Sequence, residues 1–225
     1  MTDVIVAGAG TAGLAAAVEA AQAGLQVTVI EQSGQVGGTL WRSWAQMSAG
    51  GTSLQRQHGI HDTPELHFDD VMRISKNTAD PRLVRLAVEH APATIEWLMA
   101  AGFDMDPAAP AILHFHEPYS LPRTYWGRHG GRSVLEVLLL KFERARASGA
   151  ITVRLGTRLT SIAAGQGGHV DGIRVQSAGD PEEDLRAPAV ILAAGGYAGN
   201  PGLFPGLTEG APLVGPAAPT SDGSV

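Results

Sequence analysis

Gly8, Gly10 and Gly13 lie between an apolar run at 3–7 and an alanine-rich run at 14–23, and the next apolar run, 26–30, ends on Glu31. That order reads as a strand, a tight glycine turn, a helix and a second strand with a carboxylate at its tip. Glycine is needed in such a turn because a β-carbon forbids its backbone angles and because a pyrophosphate must approach the main chain closely. The helix that opens there offers unpaired N–H groups and the positive end of its dipole to phosphates. Glu31 stands where a ribose diol would donate hydrogen bonds to it. The plain alternative is a ligand-free glycine turn in a βαβ unit, but strand, helix and acid all fall in the order a dinucleotide requires.

A chain of 225 residues can bury a sizeable core, as one large domain or two small ones. A net charge of −6 with scattered Lys and Arg argues against a nucleic-acid partner. With no cysteine there is no disulfide framework, thiolate metal site or thiol nucleophile. The N-terminal apolar run lacks a basic leader and carries Asp3, so it does not read as a signal peptide. No apolar stretch reaches the ~20 residues of a membrane span. The expectation is a cytoplasmic chain with no membrane or nucleic-acid partner.

Further along, 34–51 is loop-rich with two glycine pairs, and Asp62-Thr-Pro-Glu65 opens a helix. Asp80-Pro81 begins another helix that meets Pro92, which predicts a kink or restart before the stop at Gly102. The stretch 108–128 is irregular, and 133–148 is amphipathic at helical spacing. From Ile151 the period becomes two, giving strands over 151–155, 158–163, 169–176 and 186–192, split by glycines at 165–168 and an acidic turn at 180–184. A glycine-rich βαβ unit followed by helices and then an antiparallel meander points to the FAD-binding variant of the doubly wound fold. The expected architecture is α/β and Rossmann-like, a central parallel sheet with helices on one face and the β-meander on the other. Its closing strand, 189–193, runs into Gly195-Gly196, which either meets the dinucleotide or merely ends the strand.

Several stretches carry a more specific likeness: Val6-Ala-Gly-Ala-Gly-Thr-Ala-Gly-Leu14, Val36-Gly-Gly-Thr39, Ser48-Ala-Gly-Gly51, Asp62-Thr-Pro-Glu-Leu-His-Phe-Asp-Asp70, Asp80-Pro-Arg-Leu-Val84, Trp97-Leu-Met-Ala-Ala-Gly-Phe103, Gly156-Thr-Arg-Leu159 and Ala189-Val-Ile-Leu-Ala-Ala-Gly-Gly-Tyr-Ala-Gly-Asn200. Together, and in order along the chain, they resemble the FAD-binding flavoproteins of the fumarate reductase and succinate dehydrogenase family. The likeness is greatest to the soluble flavocytochrome c fumarate reductase and 3-ketosteroid dehydrogenase branch. The resemblance implies that 1–225 is the first part of an FAD-binding domain. It also implies hydride transfer between flavin N5 and a C–C or C=C bond next to a carbonyl or carboxylate.

Position by position, the resemblance implies that Gly8, Gly10, Thr11, Ala12 and Gly13 hold the pyrophosphate, and Glu31 with Gln32 the adenosine ribose. Gly37, Gly38 and Thr39 would line the pyrophosphate and ribityl path. Ser48, Ala49, Gly50 and Gly51 would lie against the isoalloxazine, where small residues leave the ring room. Leu159 would meet adenine through its backbone, with Ala193, Ala194 and Gly195 near the adenosine end. Asp222 resembles an acid placed near the flavin chain, although Ser221 replaces the usual glycine.

Membrane-bound relatives attach FAD through a histidine where this chain has Trp44, so the cofactor is expected to be non-covalent. The chain ends where the resemblance puts a substrate-capping domain and a returning C-terminal segment. It therefore reads as a truncated piece, as one half of an enzyme completed by a second polypeptide, or as a non-catalytic FAD-binding or subunit-interaction protein. A nicotinamide-dependent dehydrogenase is the remaining alternative, and the meander and second glycine pair count against it. Tyr119, Arg123 and Tyr125 are candidates for the substrate side of the flavin, polarising a carbonyl or binding a carboxylate, with loop packing as the other reading. His114 and His116 lack a third ligand, so no metal site is expected.

Overall fold

The computed structural model describes residues 1–114, 117–197 and 200–210. In chain order its elements begin with β1 (Val4–Ala7), α1 (Thr11–Gln22), β2 (Val27–Glu31), β3 (Met47–Ser48), α2 (Ser53–Gln57), α3 (Pro64–Ile74) and α4 (Pro81–Ala100). They continue with β4 (Thr124–Tyr125), α5 (Gly131–Ala147), β5 (Ile151–Leu155), β6 (Thr157–Ala164), β7 (Val170–Ser177), β8 (Glu183–Arg186), β9 (Ala189–Leu192) and α6 (Leu203–Leu207). The chain divides into two compact units, one from 1–41 with the chain from 138 onward, the other from 42–137.

The first unit is α/β. Its sheet runs β5-β2-β1-β9, with every neighbouring pair parallel. The central strand β1 is buried along its whole length. Period-two geometry sends Ile5, Ala7 and Ile30 to one face, where they pack with Leu159, Ile173, Val175 and Ala187 of the meander region. Val4, Val6, Val27 and Val29 are left for the other face; α1 packs on β1, β2 and β9, burying Leu14, Ala17 and Val18. The antiparallel sheet β6-β7-β8 is the meander the sequence predicts.

The strand read over 186–192 is two: β8 ends at Arg186 in the antiparallel sheet and β9 begins at Ala189 in the parallel one. The acidic stretch read as a turn enters strand β8, whose Asp184 pairs in register with Arg174 of β7. Arg174 Nε donates to Asp184 Oδ1 at 2.9 Å, and Arg154 of β5 pairs with Glu183. Cross-strand arginines neutralise acids whose local composition suggests a turn.

In the second unit, β3 and β4 pair antiparallel beside a small core of Ala49, Ile95 and Tyr125. Helix α3 starts as predicted, with Thr63 as N-cap accepting from Leu66 N–H and Pro64 in the first turn. Helix α4 runs unbroken through Pro92, so of the expected kink or restart the restart does not occur. Val88, Ile95 and Leu98 are its buried residues, and packing on α3 keeps the helix continuous despite the missing N–H at Pro92. Among the described residues no helix is long and apolar enough to cross a membrane.

Candidate dinucleotide site

The β1–α1 turn opens into a cavity of about 730 Å³ within the first unit. Of the residues expected at a dinucleotide, Gly8, Gly10, Thr11, Ala12, Glu31, Gln32, Gly38, Thr39, Leu159, Ala193, Ala194 and Gly195 line it. Gly13 and Gly37 stand behind that lining. A β-carbon on Gly13 would lie 1.8 Å from the Gly8 carbonyl oxygen, and Gly37 N–H donates to the Ala9 carbonyl at 2.8 Å.

The three glycines of the turn are required for different reasons. Gly8 combines a φ of +99° with a built β-carbon 2.5 Å from the Ala193 carbonyl oxygen, so the end of β9 leaves no room there. Gly13 is excluded from bearing a side chain by Gly8 itself. Gly10 has an ordinary φ of −78° and nothing within 4 Å of a built β-carbon. Neither backbone conformation nor protein packing demands glycine at 10, and the space in front of it belongs to the cavity. Gly10 is also the N-cap of α1, and no side chain caps that helix. A helix start left open in this way is an anion site.

Glu31 is fixed across the turn. Its Oε2 accepts from Ala9 N–H at 2.8 Å and its Oε1 from Ser33 N–H at 2.9 Å. A carboxylate has about four acceptor sites, so each oxygen keeps capacity for a ribose hydroxyl. The open Gly10, the uncapped helix and this oriented acid together fit an FAD adenosine diphosphate moiety. Sequence reading missed Ala7, Ile30, Ser33, Thr157 and Leu192, which also line the cavity. Thr157 is buried, with Oγ1 donating to the Leu155 carbonyl at 3.2 Å; it lies in the Gly156-Thr-Arg-Leu159 stretch, of which the sequence singles out only Leu159 as a site residue.

Ser48, Ala49, Gly50 and Gly51 belong to the second unit. Gly50 is small for a reason within that unit: a β-carbon there would lie 2.7 Å from the Thr63 carbonyl oxygen and 3.0 Å from Asp62 Oδ2. Trp44 is 70% exposed. Asp222 lies outside the described residues, as does His116, and among the described residues no cluster of three metal-binding side chains occurs.

The substrate-side candidates are engaged internally. Arg123 is fully buried, its fork gripping Asp62 at 2.8 and 3.0 Å while Nη1 donates to Asp70 at 2.8 Å. Tyr125 is fully buried and shares a 2.6 Å hydrogen bond with Thr52; burial pushes its phenol up to about 12. Tyr119 meets His67 edge-on, with ring centroids 5.4 Å apart. For Arg123 and Tyr125 these contacts describe packing and local ion pairing. Burial raises the Asp70 carboxyl, but hydrogen bonds from Arg73 and Ser120, with Arg123 close by, hold it below its usual range.

A family model described as "FAD binding domain" matches residues 3–224. The chain is 32% identical over 202 residues to the fumarate reductase (cytochrome) of Shewanella frigidimarina, covering 88% of this chain and 34% of that protein. A solved 3-ketosteroid-Δ4-(5α)-dehydrogenase from Rhodococcus jostii RHA1, in complex with 4-androstene-3,17-dione, matches with a TM-score of 0.83 at 25% identity, over 99% of this chain and 52% of that one. The open conformation of a flavocytochrome c3 fumarate reductase matches with a TM-score of 0.78 at 27% identity, over 92% and 36% of the two chains. The chain thus spans about a third of the length of the curated relatives it matches.

Proposed function

Since the chain belongs to the FAD binding domain family, we propose that it holds FAD non-covalently and serves an FAD-dependent oxidoreductase acting on a C–C or C=C bond next to a carbonyl or carboxylate. The observation that carries this reading is Glu31 pinned across an uncapped, glycine-lined helix start. The α1 N–H groups bind the pyrophosphate, Gly10 gives it room, and Glu31 orients the adenosine ribose. Leu159 and Thr157 wall the adenosine end against water. Bound FAD supplies hydride exchange at flavin N5.

Trp44 offers no imidazole for a covalent link, so acid or heat denaturation is expected to release the flavin. Flavin fluorescence remaining with the precipitated protein would overturn the non-covalent reading. A second reading, an FAD-binding or subunit-interaction protein without its own turnover, is favoured by the internal engagement of Arg123 and Tyr125. The two are separated by assaying the purified chain on fumarate-like and ketosteroid-like substrates, alone and with a candidate completing polypeptide. Little turnover alone and activity on completion supports the split-enzyme form of the first reading. Turnover alone at about 1 per second or more, as complete enzymes show, removes the need for a completing partner.

A further inference from the structure

We propose that the groove between α3 and α4 binds a small, neutral, apolar molecule carrying a hydroxyl, and that the hydroxyl bonds the orphaned Nδ1 of His67. The groove has a volume of about 330 Å³ and lies wholly within the second unit, independent of where FAD is held. Helix α4 supplies one wall, with Leu83, Ala87 and Ala91 spaced a turn apart on one face. Helix α3 supplies the other through His67 and Val71, and apart from His67 and Ser48 the lining is aliphatic. Exposure falls from rim to floor: Leu83 is 66% exposed, whereas Val88 and His67 are each 3% exposed.

A floor of this kind suits leucine or valine, and it holds an imidazole instead. His67 Nδ1 is buried, and among the described residues nothing bonds it. The acids near the ring are engaged elsewhere. Asp62 accepts from Arg123 and Gln55 on Oδ2, and from Arg123 and Thr63 N–H on Oδ1. Asp70 accepts from Arg73 on Oδ1, and from Ser120 and Arg123 on Oδ2. Water is a poor remedy, since an ordered water needs two or more polar partners and this floor is otherwise apolar. A buried nitrogen left unbonded destabilises the chain, and a ligand that bonds it removes that penalty.

The same features set the ligand's chemistry. The volume is at the lower end for ligand pockets and suits a single substituted ring. No Lys, Arg, Asp or Glu lines the groove, so a carboxylate entering it would lose water and meet no cation. Burial, and then Arg123, push the His67 pKa down to about 4 against the pull of Asp62 and Asp70, so the ring is neutral near neutral pH. A neutral imidazole nitrogen is a donor or an acceptor according to tautomer, and a hydroxyl answers both. Nδ1 is closed to water in the free chain, so the bond forms as the imidazole rotates about its side-chain torsions toward the groove.

The probes are phenol, toluene, which replaces the hydroxyl by a methyl group, and benzoate, which replaces it by an anion, each titrated into the full 225-residue chain. Phenol is expected to bind saturably and to shift the ring nitrogen resonances of His67, with benzoate at least about tenfold weaker. In His67→Phe, which keeps a planar ring against Tyr119, the affinity for phenol relative to toluene should fall about tenfold. Ala87→Leu, at an exposed helical position where leucine is a good helix former, should fill the groove and weaken both neutral probes. If His67→Phe does not fold, the resonance shifts and Ala87→Leu carry the test. No saturable shift at His67, an unchanged ratio in His67→Phe, or phenol binding that survives Ala87→Leu would each overturn the proposal. Benzoate binding as tightly as phenol would overturn it as well, because the groove would then not select a neutral molecule.

Discussion

The turn residues differ in what they answer to, and substitution separates them. Gly13→Ala sets a β-carbon against the Gly8 carbonyl, so loss of the fold is expected in thermal unfolding without any cofactor. The β-carbon of Gly10→Val meets nothing within 4 Å, so normal unfolding with weakened FAD binding is expected. Glu31→Ala should weaken FAD binding by about 1.5–3 kcal/mol, the range for hydrogen bonds to a charged group, measured by calorimetric titration. His67 carries a different prediction. It is 3% exposed, its Nδ1 has no partner, and its pKa is pushed down to about 4 by burial and then by Arg123, against the pull of Asp62 and Asp70. The unfolded chain therefore binds the proton first as pH falls, and stability is lost between the ordinary 6.5 and about 4. The urea midpoint should fall between about pH 7.5 and about pH 5, and His67→Leu should flatten that fall. Gly8, Gly10, Gly13 and Glu31 are legible in the sequence because a local chain path dictates their spacing. The ion pairing of Arg123 with Asp62 and Asp70 is not, since only the tertiary fold brings two acids and a buried arginine together.

Among the elements, α4 shows where a local rule loses to packing. Pro92 removes one backbone donor, yet the helix continues because Val88 on one side of it and Ile95 and Leu98 on the other are all buried. Pro92→Ala should restore the donor and stabilise the chain by about 1–3 kcal/mol, toward the helix-interior difference between the two residues. Equilibrium urea unfolding checks it, and a neutral or destabilising result would mean that the helix is shaped to the ring. Strand β8 errs the other way: Glu183 and Asp184 look like turn residues until Arg154 and Arg174 face them. Periodicity located the meander and the parallel strands because each is written in consecutive residues. It did not locate β3 and β4, two-residue strands held by a partner far along the chain.

For the whole molecule, the first unit is made from two distant stretches, and its sheet joins Val4 to Ala189 as well as to Val27. A chain ending at residue 188 would lack β9 and the Ala193 carbonyl that backs Gly8. It should fail to retain FAD on gel filtration and lose cooperative unfolding, although the complete glycine turn and Glu31 remain. FAD added to the intact chain at about 100 times its dissociation constant should stabilise it by about 2.7 kcal/mol. The strand order also sets a timetable. The ribosome makes β1 about 180 residues before its flanking strand β9, and at about 5–20 residues per second the interval is on the order of ten to forty seconds. Throughout that time the nascent turn has one open flank and nothing behind Gly8. Cofactor capture therefore waits for β9 to emerge and join the sheet, and a shortage of flavin is felt only after that strand is in place.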